Sequence, residues 1–263
     1  MSVFRNVVFV AALAGLVAGL VMAALQILVT DPLIFQAEVF EQAGETPAHD
    51  HHAVAAPPAA QDSNMSTMAA APAAGAEAHE HEHDAEAWAP ADGIERYSFT
   101  VLANLVTGIG FALILVVASE FAGGIAGWRQ GLVWGLAGFA VFTLAPGLGL
   151  PPELPAMPAA DLTARQLWWW GTVVATAGGL ALITFRRALP FAALGLALIV
   201  APHIVGAPQP PSYESAIPEG LHHQFVVAAT MTSLVFWAVL GMAAGALRAR
   251  FLGEAGSLRS SFA

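Results

Sequence analysis

Histidine and carboxylate side chains are concentrated in two short stretches of the chain, where their types and spacing are suited to metal binding. Neutral imidazole and carboxylate groups are ligands for divalent cobalt, nickel and zinc. The i, i+2 spacing of the second cluster does not share one helix face, but a flexible chain can wrap such residues around an ion. The pattern predicts an adaptable metal-collecting tract, with an inert acidic spacer as the alternative. Six of the nine histidines form these clusters: His49, His51, His52, His79, His81 and His83.

A second group of candidate ligands lies next to prolines. Glu153 falls within a Pro-rich turn and His203 follows Pro202. Proline lacks a backbone donor and clashes with the preceding turn, so both places are expected to break helices. Irregular backbone at membrane depth persists where it is buried in protein or lines a cavity, which makes Glu153 and His203 a candidate metal site. The alternatives are an ion pair between Glu153 and Arg165 and a hydrogen bond from His203 to a carbonyl.

Glu38 and Glu41 are further candidate ligands, because residues three apart are neighbours on one face if this segment is helical. The adjacent pair His222 and His223 is a weaker candidate, since neighbouring residues point in different directions.

The composition places these residues in a membrane protein. The chain has 263 residues, of which 57% are hydrophobic and 11% are charged, against about 25% charged in a typical soluble domain. It contains no cysteine, which excludes thiolate metal sites, disulfides and cysteine nucleophiles. All nine basic residues are arginines, and they form no basic patch suited to nucleic acid.

Hydrophobic runs predict an all-α integral membrane protein with about six transmembrane helices. We divide the chain into an anchor span (1–29), a His- and acid-rich loop that is largely disordered (30–97), a five-helix bundle (98–250) and a tail (251–263). In the first span, small residues recur every fourth position and predict a face for close helix packing: Ala11, Gly15, Gly19 and Ala23. The predicted spans are 7–29, 98–119, 131–149, 167–185, 188–206 and 225–247.

The arginines predict the orientation of the spans. With both termini in the cytoplasm, seven arginines fall inside and only Arg96 and Arg165 fall outside, which agrees with the positive-inside rule. This orientation places the histidine tract, Glu153 and His203 on the outer, periplasmic side.

The apolar runs offer few groups for an ion path. Glu120, at the end of the second span, is their one carboxylate, and no nucleotide-binding or hydrolase motif is present. A path through the membrane would therefore use neutral polar side chains or be completed by a partner subunit. The available side chains are Asn104, Thr107, Thr143, Thr172, Thr176, Thr230, Thr232 and Ser233.

Several sequence blocks resemble the CbtA family of predicted cobalt transporter subunits. They are Ala37-Glu38-Val39-Phe40-Glu41, Trp134-Gly135 through Pro151-Pro152-Glu153-Leu154-Pro155, Arg165-Gln166-Leu167-Trp168-Trp169 and Ala201-Pro202-His203-Ile204-Val205-Gly206. The resemblance covers nearly the whole chain except the histidine tract. It implies cobalt uptake connected with cobalamin synthesis, in the inner membrane of a bacterium, beside a small single-span, histidine-containing CbtB-type partner.

The leading hypothesis is thus a membrane subunit of a Co²⁺ uptake system. The tract would collect the ion, and the helix ends near Glu153 and His203 would pass it on. Nickel or zinc is the alternative cargo, because the ligand set does not separate these metals. A metal-binding sensor or assembly protein that transports nothing is the alternative function. We expect neither an enzyme nor an organic cofactor, since no recognisable motif places a catalytic group.

Overall fold

The computed structural model describes residues 2–45 and 90–251, and all regular elements within these two ranges are helical. This confirms the all-α prediction. The helices are α1 (Ser2–Leu25), α2 (Asp31–Glu45), α3 (Ile94–Phe121), α4 (Trp128–Phe139), α5 (Ala145–Gly149), α6 (Leu162–Phe185), α7 (Leu189–Val205) and α8 (Glu219–Phe251).

Two π-helical turns join helices that would otherwise be separate. One, Gln26–Thr30, connects α1 to α2, and the other, Ala140–Leu144, connects α4 to α5. Each is followed two residues later by a proline, Pro32 or Pro146. A proline inside a regular helix clashes with the carbonyl four residues earlier, and the wider π turn relieves that clash. The chain therefore stays helical where a break or a loop was expected.

The first rod is consequently much longer than the predicted span at residues 7–29. Residues Phe4–Ala43 form one apolar rod of 40 residues, about 60 Å at 1.5 Å per residue. A hydrocarbon core is about 30 Å thick, so α2 extends beyond it when α1 crosses the membrane. Glu38 and Glu41, expected near the start of the loop, lie on this helical extension.

Glycines bring the helices together in three pairs. In α1, a Cβ atom on Gly15 or Gly19 would overlap the backbone of α3 at Ile109 or Asn104. Ala11 and Ala23 are buried on the same helix, which confirms the predicted packing face. Between α6 and α7, Gly179 and Gly195 pack against each other in the same way. The α4 to α8 contact uses Gly131, Gly135, Gly241 and Gly245.

Two apolar clusters hold the bundle. The larger one joins α1, α3, α4 and α8 and includes Val10, Val116 and Leu240, which have no exposed surface. The smaller one joins α2 to the start of α8 and to the 150–161 connection through Ala37, Phe225 and Leu154. The larger cluster runs toward the ends of α3 and α8, which we call the Arg248 end. The opposite end, where the smaller cluster lies, is called the Glu153 end.

Among residues 2–45 and 90–251, five helical rods are long and apolar enough to cross a membrane. The remaining predicted span, the fifth (188–206), corresponds to α7, an apolar helix of 17 residues, the lower limit for spanning. Its predicted break at Pro202 is wrong, because α7 continues through Pro202 to Val205. The helix ends one turn later at Gly206, whose φ of 87° lies in the left-handed region that glycine adopts without strain.

Candidate functional site

The histidine tract lies outside the described residues. His49, His51, His52, His79, His81 and His83 all fall within 46–89, so their predicted role in metal binding stays a prediction. Within residues 2–45 and 90–251, no three His, Asp or Glu side chains come together in a group that could hold a metal ion.

Glu38 is paired with an arginine. Both of its carboxylate oxygens accept from Arg96 of α3, at 3.2 Å for the Nη1–Oε2 bond. Arg96 also lies 3.3 Å from Asp92 and over the ring of Phe35, 4.7 Å from its centre. Glu41, in contrast, is exposed. This arrangement brings the helices on either side of the histidine tract together.

Glu153 is also paired with an arginine. Its Oε2 lies 2.9 Å from Nη2 of Arg165, the ion pair anticipated as the alternative to metal binding. The two side chains remain 25% and 30% exposed, so the pair faces solvent. Nearby, Nε2 of His222 lies 3.2 Å from the carbonyl oxygen of Pro152. His222 therefore contacts the turn that carries Glu153, which its spacing beside His223 did not indicate.

His203 is placed apart from Glu153. Its ring meets Trp168 of α6 edge-on, with 5.8 Å between ring centres, and Trp168 Nε1 donates to the Pro202 carbonyl at 3.2 Å. These contacts belong to the α6 to α7 pair. His203 does not line the cavity that Glu153 lines. In this conformation Glu153 and His203 do not share a site, because Glu153 pairs with Arg165 and His203 packs against Trp168.

Polar side chains converge instead on a cavity of about 520 Å³ between α1, α3, α8 and the second π turn. Asn104 is central to it. Its amide nitrogen donates to Gln26 Oε1 in the first π turn and, at 2.8 Å, to the Thr100 carbonyl. Both π turns thus contribute to one cavity. Its lining carries no charged residue, and its polar members are Gln26, Thr100, Asn104, Thr107, Thr143 and Ser233.

A second cavity, of about 420 Å³, lies toward the Glu153 end. It is lined by Glu153 and Arg165 and by Thr230 of α8. The two cavities share three lining residues: Phe142, Thr143 and Ser233. They therefore form neighbouring parts of one polar region that runs from the Glu153 end into the middle of the bundle.

Five of the eight polar residues expected for a path line this region, and three do not. Thr172 and Thr232 are buried, and their hydroxyls donate to carbonyls of their own helices at 2.9 and 3.0 Å. Thr176 is buried without a hydrogen-bond partner. Gln26 and Thr100 line the cavity although they were not expected. Thr100 lies four residues before Asn104 and therefore on the same helix face, and this spacing could have identified Thr100 from the sequence.

Aromatic side chains close the first cavity on the side of the Arg248 end. Phe142 stacks on Trp237 at 5.6 Å between ring centres and 8° between planes. Phe111 meets both rings, at 5.2 and 5.0 Å, and Phe236 completes the layer. We call these four residues the aromatic layer.

A buried ion pair lies beyond the aromatic layer, at the Arg248 end. Arg248 donates through Nε and Nη2 to the two oxygens of Glu120, the second bond being 3.2 Å long. Its Nη1 donates to the Ile125 carbonyl at 2.9 Å. Glu120 has no exposed surface and Arg248 has 4%. Sequence reasoning placed both residues at one end of the bundle but did not pair them.

The polar oxygens of the two cavities can interact with a cation. The hydroxyls of Thr100 and Thr230 donate to carbonyls of their own helices, at 3.0 and 2.7 Å. A hydroxyl used in this way keeps lone pairs for a cation or for its water shell. Neutral oxygens hold a divalent ion more weakly than carboxylates or imidazoles do, and weak binding suits passage better than storage.

Comparison with known proteins identifies a family. No curated protein and no solved structure matches the chain. A family model described as probable cobalt transporter subunit (CbtA) matches residues 4–249, nearly the whole sequence. The match runs through all the helices that form the cavities and the buried ion pair. The chain therefore belongs to the CbtA family of probable cobalt transporter subunits.

Proposed function

We propose that this chain provides the membrane path of a Co²⁺ uptake system, and that the ion moves through the two polar cavities. The observation that carries the proposal is their shared lining of Phe142, Thr143 and Ser233, which joins a cavity near Glu153 to one deep between the helices. Polar residues inside a membrane bundle are unfavourable unless they face protein or water, and they commonly mark an ion pathway.

In this proposal the ion enters at the Glu153 end. We take that end to be periplasmic and both termini to be cytoplasmic, in the inner membrane, and the arginine distribution supports this orientation. The histidine tract would collect the metal there, because the Glu38–Arg96 pair holds both of its flanking helices at that end. His203 would act on the ion only after a rearrangement of the α6 to α7 contact.

The family description is of a subunit, so the chain works with a partner. We propose the small single-span, histidine-containing CbtB type. This choice agrees with the uncharged lining of the deep cavity, because a partner helix with an imidazole would add a stronger ligand than this chain offers there. Cobalt is the proposed cargo on the strength of the family, and nickel and zinc are the competing ions.

A pair of matched substitutions tests the path. Thr230→Val removes a hydroxyl that lines a cavity, and Thr232→Val removes one that is buried two residues along the same helix. Each hydroxyl donates to a carbonyl of α8, so both variants lose a comparable intrahelical bond. We expect Thr230→Val to lower Co²⁺ uptake several-fold and Thr232→Val to leave it near the parent value.

Uptake would be measured in cells and in liposomes holding the purified chain, with and without the partner, with cobalt, nickel and zinc in competition. Equal uptake by the two variants would contradict the cavity path. Metal binding without flux in any reconstitution would favour the sensor or assembly role.

A further inference from the structure

The bundle is open at one end and closed at the other. Both cavities lie on the Glu153 side of the aromatic layer. On the other side, Val116, Leu240 and Ala244 have no exposed surface. Arg248 lies eleven positions after Trp237 in α8, a rise of about 16 Å. An ion in the deep cavity would therefore need this core to part before it could leave at the Arg248 end.

The helices around this core form two tightly joined pairs. Glycine contacts lock α1 to α3, and a second set locks α4 to α8, with backbone against backbone. Sliding within a pair would drive these backbones into each other. The two pairs meet through side chains of the larger apolar cluster, so a rocking of one pair against the other, as in transporters whose bundles rock around a fixed site, would require only that these side chains repack.

Glu120 and Arg248 connect the two pairs at the closed end. Glu120 belongs to α3 and Arg248 to α8, while the third bond of Arg248 goes to the Ile125 carbonyl in the connection from α3 to α4. Gly124, in the same connection, has a φ of 85°, and a Cβ atom there would overlap the guanidinium group. The glycine at position 124 therefore leaves the space that the guanidinium group of Arg248 occupies.

Stability alone does not account for a charged pair at this position. A buried ion pair often contributes no more to the free energy of folding than well-packed apolar residues of similar volume, because both charges lose their hydration. Its distinctive property is that water can stabilise the separated charges. An apolar contact has no such second state, so the pair suits a contact that must open and close.

We propose that the Glu120–Arg248 pair is the gate that closes the ion path at the Arg248 end. It opens when the charges separate and water enters between the two glycine-locked helix pairs. This inference rests on the proposed path through the cavities and adds the residues that control its exit.

The absence of cysteine makes the gate directly measurable. A single thiol introduced as Ala244→Cys would lie one helical turn before Arg248, at a position with no exposed surface. Its rate of reaction with a charged, water-soluble methanethiosulfonate reports water access beyond the aromatic layer. The measurement uses the purified full-length chain in nanodiscs. We expect Arg248→Gln to raise this rate at least tenfold.

Two controls separate gating from loosening of the fold. Arg165→Gln removes the arginine of the Glu153–Arg165 pair at the other end and should leave the labelling rate of Ala244→Cys unchanged. A thiol at Val173→Cys, buried in α6, should react equally slowly with and without Arg248→Gln. If Arg248→Gln fails to fold, the double variant Glu120→Gln/Arg248→Gln leaves no unpaired charge and should give the same acceleration.

An unchanged Ala244→Cys rate in both the single and the double variant would overturn the gate. So would an equal acceleration by Arg165→Gln or at Val173→Cys. The labelling does not depend on transport. A failed uptake test with Thr230→Val, combined with the expected labelling, would reject the cavity path and leave the opening motion established.

Discussion

Two glutamate–arginine pairs lie at opposite ends of the bundle, and they differ mainly in their access to water. Glu153 and Arg165 are 25% and 30% exposed, beside an open cavity. Glu120 and Arg248 are 0% and 4% exposed, inside a closed core. The same pair of side chains can thus form a solvated contact that rearranges readily or a desolvated one that holds helices together until water enters. The surroundings decide which.

The largest expected effect comes from removing one half of each pair. Arg248→Ala leaves the Glu120 carboxylate buried without its cation, which should lower the free energy of unfolding by about 3–5 kcal/mol. Arg165→Ala leaves Glu153 in contact with water and should lower it by no more than about 1 kcal/mol. Unfolding of the purified variants in detergent, followed by circular dichroism, measures both. Similar losses would show that the two pairs do not differ as their exposure indicates.

Glycine substitutions sharpen the contrast between closed and open surfaces. In Gly241→Ala the new methyl group would overlap the Gly131 carbonyl, so we expect a loss of about 1–3 kcal/mol. In Gly171→Ala it would enter open space on α6, and the better helix propensity of alanine should leave stability unchanged or slightly improved. Thermal unfolding of the two variants gives the comparison. A stable Gly241→Ala protein would argue against a rigid α4 to α8 pair.

The smallest effect is expected from the histidine tract at the open end. Deleting residues 49–83 should lower cobalt uptake a few-fold when the metal is scarce and leave it unchanged when it is abundant. Deleting 53–78 alone removes no histidine and should have little effect. Binding by the tract needs neutral imidazole, with an ordinary pKa of about 6.5, and should fade below about pH 6. Unchanged uptake at scarce metal would contradict the collecting role.

Much of the helical framework follows from the sequence, because lipid requires long apolar helices whose backbone groups are satisfied internally. The hydrophobic run of α1 and the spacing of Gly15 and Gly19 predicted both a span and its packing face. The ends of the helices were less predictable. A loop was predicted from residue 30 and a break at Pro202, yet a π turn continues the first helix past Pro32, and Pro202 lies within the last turn of α7.

The site was harder to predict than the helices. Glu120 and Arg248 are 128 residues apart, and Asn104 and Gln26 are 78 apart, so their contacts depend on which helix faces meet. Hydropathy gives the span of a helix but only a weak indication of its partner. For the same reason Glu153 and His203, both beside outer prolines, could be assigned to similar depth without being neighbours.

The π turns also bear on how the chain tolerates changes in length. Each π turn contains one residue more than an α-helical turn would. It therefore acts as a one-residue insertion that is accommodated locally, and the helix faces before and after it stay aligned. Losing one residue from Gln26–Thr30 would restore an α-helix, but Pro32 would then clash with the carbonyl four positions before it. The extra residue and the proline are therefore coupled, and we expect a deletion to be tolerated only when the proline is replaced as well.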